Sequence, residues 1–336
     1  MTSDTAPRVS VIIATYNRAV PLEDLLQDLM AQDYPPEQLE VIVVDDGSTD
    51  TTAEVIRRAI TQASVSIRSR SQNRQGQAAA RNQALAIANG EIVAFTDSDC
   101  RVGPHWVSNA VRHMTGAVGL VSGPILPIAN PARAPGFFNH QIQEFTHENA
   151  LYPTANVFYL RAALDQVGGF DEHFGQCSLR GPANVGEDID LAWRVKRAGF
   201  VSAFAADAIV SHEATGVSPF SWLTEPIAVS VFPHLIAKYP ELRREHLWKH
   251  YFLSDTHPLF YLAMAGVTLA GWARQPRWLA LLLPWLLRMR PAMSDDLRAP
   301  SRWWRVPIKY ALMGERFLLI TLVLAWSSAR HRTPVL

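Results

Sequence analysis

An α/β fold, in which a mostly parallel sheet is flanked by helices, is predicted for about the first two thirds of this chain, with a separate helical region after it. Three observations carry that expectation. Short β-branched runs alternate with stretches of helical spacing up to about residue 100, the pattern of a chain that crosses back over its own sheet between strands. Tryptophan is concentrated at the other end, eight of the ten falling in residues 217–336. Charge is divided as well: residues 1–216 hold 16 Lys and Arg against 24 Asp and Glu, and residues 217–336 hold 15 against 7, so the formal net charge of zero conceals an acidic part and a basic part. A boundary is therefore expected near Gly216 to Pro219, with a disordered tail over 1–7, a domain over 8–216 and a basic, Trp-rich amphipathic helical region over 217–336.

Each element has its own signal. VSVIIATYN (9–17) is a short continuous β-branched run, as expected of a strand buried on both faces. PLEDLLQDLMAQ (21–32) has helical spacing with acids in its first turn, and LEVIVVDDGSTD (39–50) is a second apolar strand running into a turn, which completes a βαβ unit. TAEVIRRAITQ (52–62) reads as the next helix, GQAAARNQALAIANG (76–90) as an Ala-rich helix stopped by Asn89 and Gly90, and EIVAFT (91–96) as a third buried strand. With 336 residues, 48% of them hydrophobic and 18% charged, the chain can bury a sizeable core. Cys100 and Cys177 form neither a disulfide framework nor a CxxC pair, and the apolar stretch Val9 to Ala14 is too short for a signal peptide, so a reducing, cytoplasmic setting is expected.

Ligands on such sheets bind beyond the carboxyl ends of the strands. Here those ends are Thr15-Tyr16-Asn17, Asp45-Asp46-Gly47-Ser48 and Asp97-Ser98-Asp99, three polar clusters that the fold would bring to one rim. An isolated Asp-Ser-Asp is an ordinary turn. In a strand, however, Asp97 and Asp99 would face the same way, and their mutual repulsion calls for a cation. No GxGxxG or Walker-type loop follows the first strand, which argues against a dinucleotide oxidoreductase and a P-loop enzyme. A carboxylate-rich rim suits instead a hard divalent ion sharing its shell with a diphosphate, to which Arg81 on the Ala-rich helix would add positive charge. Farther along, GEDIDLAWRVKRAGF (186–200) opens with Gly186, places Glu187 and Asp188 at the start of a helix, and gives that helix an apolar stripe of Leu191, Val195 and Ala198. Acids in that position favour the helix dipole and can also serve as a base.

VSVIIATYNR, VIVVDDGSTD, NRQGQAAARNQALAIANGEIVAFTDSDC, VGGFDEHF and GEDIDLAWRVKRAGF, in that order and spacing, resemble the family 2 glycosyltransferases, inverting enzymes of the GT-A fold, over roughly residues 8–216. The resemblance implies a nucleotide-sugar donor, UDP-sugar by default, and Mn²⁺ or Mg²⁺ as cofactor. It would set Thr15 and Asp46 against the base and ribose, Asp97 near the ribose and the metal, and Asp99 on the metal that bridges the diphosphate. Asp188 would be the general base, with Glu187 as the alternative. His212, just after a strand in AIVSHEATG, matches a late metal ligand, although a histidine at a strand end is also commonly structural. Asn156 and Trp193 would lie on the acceptor side. His140, His147 and Glu148 fall in the acceptor-facing segment, and their spacing matches no compact metal site.

The resemblance thins beyond residue 216. Leu259 to Ala273, Trp278 to Leu287 and Phe317 to Trp326 are apolar runs shorter than the 20 or so residues of a spanning helix, flanked by arginines and interleaved with Trp272, Trp278, Trp303 and Trp304. That mixture suits helices lying in the headgroup layer of an anionic membrane, with a shallow re-entrant hairpin and a soluble helical subdomain as alternatives. No recognition helix, RNP motif or zinc finger accompanies the basic residues, so nucleic acid is not expected as a partner. The expected activity is transfer of one sugar to a lipid-linked or cell-envelope glycan at the cytoplasmic face of the membrane, by a peripheral or monotopic enzyme. A processive polysaccharide synthase is the nearest rival. Its Gln-x-x-Arg-Trp motif is met here only by QPRW (Gln275 to Trp278), one residue short. A catalytically silent nucleotide-binding scaffold is the rival from another class, and a nucleotidyltransferase would need a basic phosphate loop that ATYNRAVPLE does not supply.

Overall fold

The computed structural model describes residues 6–128, 144–174, 185–213, 218–298 and 300–336; His140, Cys177, Gly216 and nearly all of the expected tail lie outside them. One compact unit holds the described residues up to Trp222, and Leu223–Leu336 belong to a second.

The first unit is α/β. Its strands and helices are β1 (Val9–Thr15), α1 (Ala19–Met30), β2 (Leu39–Asp45), α2 (Thr52–Gln62), β3 (Ser66–Ser71), α3 (Gln77–Leu85), β4 (Ile92–Phe95), β5 (Cys100–Val102), α4 (Trp106–Val111), β6 (Val118–Ser122), β7 (Ile125–Ile128), β8 (Val157–Leu160), α5 (Arg161–Val167), α6 (Glu187–Arg197), β9 (Val201–Phe204) and β10 (Val210–Glu213). Seven strands form the main sheet in the order β3-β2-β1-β4-β8-β6-β9, and β5-β10-β7 form a small second sheet. β1 pairs in parallel with both β2 and β4, β2 with β3, and β6 with β9; only β8 runs against its neighbours.

The continuous apolar runs have their reason in the two faces of this sheet. Val9, Val11 and Ile13 pack to one side with Leu22, Leu25 and Leu26 of α1 and Val55 of α2, whereas Ile12, Ile42 and Val44 pack to the other with Ala80 and Ala84 of α3 and Leu191 of α6. Each such leucine or isoleucine contributes about 1.5–3 kcal/mol by leaving water.

Two elements depart from expectation. β3, SIRSRS, has no apolar run and was not foreseen; it is one of the two edge strands, and Arg68 donates to Glu40 (3.2 Å) and to the Ile87 carbonyl (2.8 Å). The Ala-rich helix ends at Leu85, not at Asn89, because Asn89 is drawn inward by Glu40, which accepts its N–H at 2.6 Å. Gly90 follows where a Cβ would stand 2.5 Å from the backbone nitrogen of Ser10, so no other residue fits that turn.

The second unit is helical. After α7 (Pro219–Thr224), which enters it, come α8 (Val231–Lys238), α9 (Leu242–Glu245), α10 (Thr256–Trp272), α11 (Leu283–Met289), α12 (Ser294–Arg298) and α13 (Arg305–His331), with a 3₁₀ segment over Pro276–Leu282. Phe260, Ala263, Trp285 and Phe317 make a small core between α10, α11 and α13. The run Phe317 to Trp326 proves to be the middle of a 27-residue helix. α10 is not amphipathic, as had been expected, but apolar on its inward and outward faces alike. No helix among the described residues is long and apolar enough to cross a membrane.

Candidate active site

The carboxyl ends of β1, β2 and β4 are tied to one another before any ligand is considered. Asn17, held at φ 50°, accepts the Thr49 N–H at 2.7 Å, and its own N–H donates to Ser48 Oγ at 2.9 Å. Asp45 accepts the Ser48 N–H at 2.9 Å. The Asp46 carboxylate accepts from Gln72 Nε2 (2.6 Å), Gln75 N (2.7 Å) and Gly76 N (3.0 Å), so it secures the loop between β3 and α3 instead of standing free for a base or ribose. That loop carries Arg74 across the ring of Tyr16, 4.0 Å from its centroid. Thr15 is buried beside them, and its hydroxyl has no protein partner.

β4 stops at Phe95, and Ser98-Asp99 form a turn into β5, so the two aspartates are not on one strand face. Each has its own cation. Asp97 accepts from Arg81 Nη2 at 2.9 Å. Asp99 lies 3.4 Å from Arg18 Nη1 and 3.4 Å from His212 Nε2. Burial raises the Asp99 pKa and Asp97 adds to that, against the favourable pull of His212 and Arg18. Asp99 and His212 together make a largely covered carboxylate-imidazole pair at the rim, a donor set that fits Mn²⁺ or Mg²⁺. Cys100 stands within 4.8 Å of both, and burial pushes its thiol well up, with the charges of Asp97 and Asp99 adding to that.

Arg81 is almost wholly buried, at 3% exposed, and does not offer itself to a diphosphate as expected. Its other nitrogen donates to Glu187 Oε1 at 3.1 Å, so one guanidinium joins the β4 rim to the first residue of α6. Gly186 enters that helix at φ 85°, and Arg194 fixes it from behind through Asp190 (2.8 Å) and the carbonyls of Val167 (2.7 Å) and Gly169 (2.6 Å). Glu187 is thus occupied as a partner of Arg81. Asp188 is only partly covered and accepts its neighbour Ile189 N–H at 2.8 Å. Burial, then the Glu187 charge, push its carboxyl up to about 7.

The two acceptor-side residues are in the core. Asn156 is fully buried: its Oδ1 accepts from Trp106 Nε1 (2.9 Å), and its Nδ2 donates to the carbonyls of Pro124 (2.9 Å) and Ala208 (2.7 Å), which join the two sheets. Trp193 is buried, donates to the Ala150 carbonyl at 3.0 Å and lies under Lys196. Neither is free to line a cleft. His147 and Glu148 form no cluster with a third ligand among the described residues. Sequence reasoning overlooked Arg18 and Arg74; both flank rim motifs, but only the folded chain brings them onto Asp99 and Tyr16.

The description Glycosyl transferase family group 2 matches residues 92–328, and Glycosyl transferase family 2 matches residues 10–167. The chain belongs to the family 2 glycosyltransferases. This glycosyltransferase is 34% identical over 220 residues to glycosyltransferase AglE of Haloferax volcanii, covering 64% of the chain and 69% of AglE. It is 29% identical over 280 residues to validoxylamine A glucosyltransferase of Streptomyces hygroscopicus subsp. limoneus, covering 72% of the chain but 59% of that longer relative. Two solved structures share its α/β, GT-A-like fold. A mannosyltransferase, PcManGT from Pyrobaculum calidifontis, in complex with GDP-Man and Mn²⁺, has a TM-score of 0.56 at 24% identity, over 95% of this chain and 89% of that one. TarS from S. aureus, in complex with UDP-GlcNAc, has a TM-score of 0.52 at 19% identity, over 97% and 92%. The family acts on nucleotide sugars, and so does this member.

Proposed function

We propose that this enzyme moves one sugar, with inversion and in a metal-dependent reaction, from a nucleotide-sugar donor to a hydroxyl of a lipid-linked or envelope glycan at the cytoplasmic face of the membrane. The observation that carries the reading is the division of labour at the start of α6: Arg81 engages Glu187, while Asp188 is left partly open with its carboxyl titrating near 7. A base poised near neutrality is suited to taking a proton and contributes about 10²–10⁴ in rate.

The acceptor O–H gives its proton to Asp188 while its oxygen attacks the anomeric carbon from the face opposite the leaving group. The bond from that carbon to the β-phosphate oxygen breaks, and its electron pair leaves on the nucleoside diphosphate. Asp99 and His212, with Asp97 beside them, would hold Mn²⁺ or Mg²⁺, and the bound ion supplies charge stabilisation for the departing diphosphate. Arg18 stands at the same carboxylate and would share it with the ion. The ring of Tyr16, with Arg74 over one face, offers a stacking surface to the nucleoside, with UDP as the default donor nucleotide, and Thr15 lies buried beneath it.

The deciding experiment is Asp188→Asn, which keeps the side chain's size and its acceptor oxygen for Ile189 but removes the base. Donor binding is expected to persist and transfer to fall by about 10² or more. Near-normal transfer would take the role from Asp188. Release of free nucleoside diphosphate, not pyrophosphate, distinguishes glycosyl transfer from nucleotidyl transfer in the same assay, and NMR of the product gives the anomeric configuration.

A further inference from the structure

We propose that the outward faces of α10, the segment after it and α13 form one attachment surface for an anionic lipid bilayer, in which the apolar side chains enter the acyl boundary and the surrounding arginines meet the headgroups. The proposal rests on the reading of a lipid-side acceptor for its purpose only; its geometry and its test are independent of the reaction.

Exposed large apolar side chains are unevenly distributed. Of the 24 among the described residues, 18 lie in residues 223–336, although that unit is the smaller one. In α10, which has no charged residue over its 17 positions, Met264, Val267 and Trp272 face outward, Trp272 at 84% exposure, while Phe260 and Ala263 turn to the core. In α13, Leu318, Leu322 and Trp326 recur every four residues along one outward row, opposite Phe317 and Leu324 inside. Gly266 lets α10 close on the following segment, where a Cβ would stand 2.7 Å from the Trp278 carbonyl oxygen, and this leaves α10's remaining apolar face unpartnered. A soluble surface seldom carries so much apolar area without an occupant.

Charge decides which occupant. Residues 256–336 hold 11 Lys and Arg against three acids. One of those acids, Asp296, is buried against Arg305 and Lys309 and adds nothing negative to the surface. Arginines lie over tryptophans in the same region, Arg277 over Trp278, Arg305 over Trp304 and Arg330 over Trp326, each between 5.3 and 5.5 Å from the ring centroid. Paired indole and guanidinium match the layer between headgroup and acyl chain, where one end is apolar and the other anionic. A second copy of this surface would bring basic residues against basic residues. No helix among the described residues is long and apolar enough to cross a membrane, so the proposed attachment is from one side.

The test uses the full chain and vesicles of phosphatidylglycerol with phosphatidylcholine, against phosphatidylcholine alone. The protein is expected to sediment with the anionic vesicles, and brominated acyl chains are expected to quench its tryptophan emission. Met264→Glu with Leu322→Glu should weaken sedimentation at least about tenfold while nucleotide affinity and the thermal transition stay unchanged. Arg274→Glu with Arg277→Glu should weaken it only on anionic vesicles. Absence of binding by the unmodified chain overturns the proposal, as does binding indifferent to both pairs of substitutions. Self-association in solution that Met264→Glu with Leu322→Glu abolishes would assign the face to a second copy and overturn it equally. Loss of transfer activity with vesicle binding intact would count against the reaction assignment and leave the surface standing.

Discussion

Arg81 is the residue on which most of the site depends. It is buried between two carboxylates, Asp97 and Glu187, and removing one partner of a buried ion pair leaves the others uncompensated at a cost of about 3–5 kcal/mol. Arg81→Met is expected to lose that much stability in urea denaturation. Arg81→Lys, which keeps a charge but cannot span two carboxylates at once, should retain the fold and move the acid limb of the pH-rate profile upward, because a less well neutralised Glu187 makes Asp188 harder to ionise. The sign of that limb follows from the chemistry: a base works deprotonated, so transfer falls as pH drops through about 7. Stability moves the other way. The folded Asp188 carboxyl keeps its proton up to about 7 and the unfolded one releases it near 3.8, so this group's contribution is present at low pH and is lost as pH rises between those values. Asn156 makes the opposite point. Its amide satisfies three buried partners, and Asn156→Ala should cost about 1–3 kcal/mol for each group left unpaired while leaving acceptor KM alone in whatever enzyme remains folded.

At the level of elements, what could be read in advance was what local chemistry alone determines. β1, β2 and β4 are continuous apolar runs because each is covered on both faces, and α6 announced itself through Gly186, its first-turn acids and its apolar stripe. The elements that were missed owe their form to distant partners. β3 is a strand because β2 offers it an edge; α3 stops at Leu85 because Glu40, far back in the chain, captures Asn89; Asp46 is committed to the loop over Gln72 to Gly76, which no spacing in that loop reveals. Asn156 and Arg81 each follow a small apolar residue and carry no signal of their role in sequence, and only packing separates a core amide from a bridge between rim and helix. Gly186 makes the element-scale prediction. At φ 85° a Cβ is unfavourable by roughly 1–2 kcal/mol, and Gly186→Ala is expected to lower the melting temperature slightly but kcat more, since the turn it distorts aims Asp188. An equal, small loss in both would mean that the turn serves only the fold.

For the whole molecule the decisive quantity is how binding energy adds to a marginal stability. The rim proposed for the nucleotide, with Asp97, Asp99 and His212, belongs to the acidic unit that ends at Trp222, so a nucleoside diphosphate bound there would act on that unit's folding equilibrium. At 100 times its dissociation constant a ligand that binds only the folded state stabilises it by about 2.7 kcal/mol. For a domain of this size that corresponds to roughly 5–10 °C in the midpoint. UDP with Mn²⁺ is expected to produce such a shift in the full chain, UDP with a chelator a much smaller one, and GDP with Mn²⁺ less than UDP. Asp99→Ala should erase the metal-dependent part without lowering the ligand-free midpoint, because a carboxylate kept at the rim by Arg18 and His212 contributes little to the core, and burial already disfavours its charge. A shift unaffected by Asp99→Ala would remove the metal from that corner of the site. A larger shift with GDP would overturn the choice of donor nucleotide, while the roles of Asp188 and Arg81 would stand, since neither depends on which base lies against Tyr16.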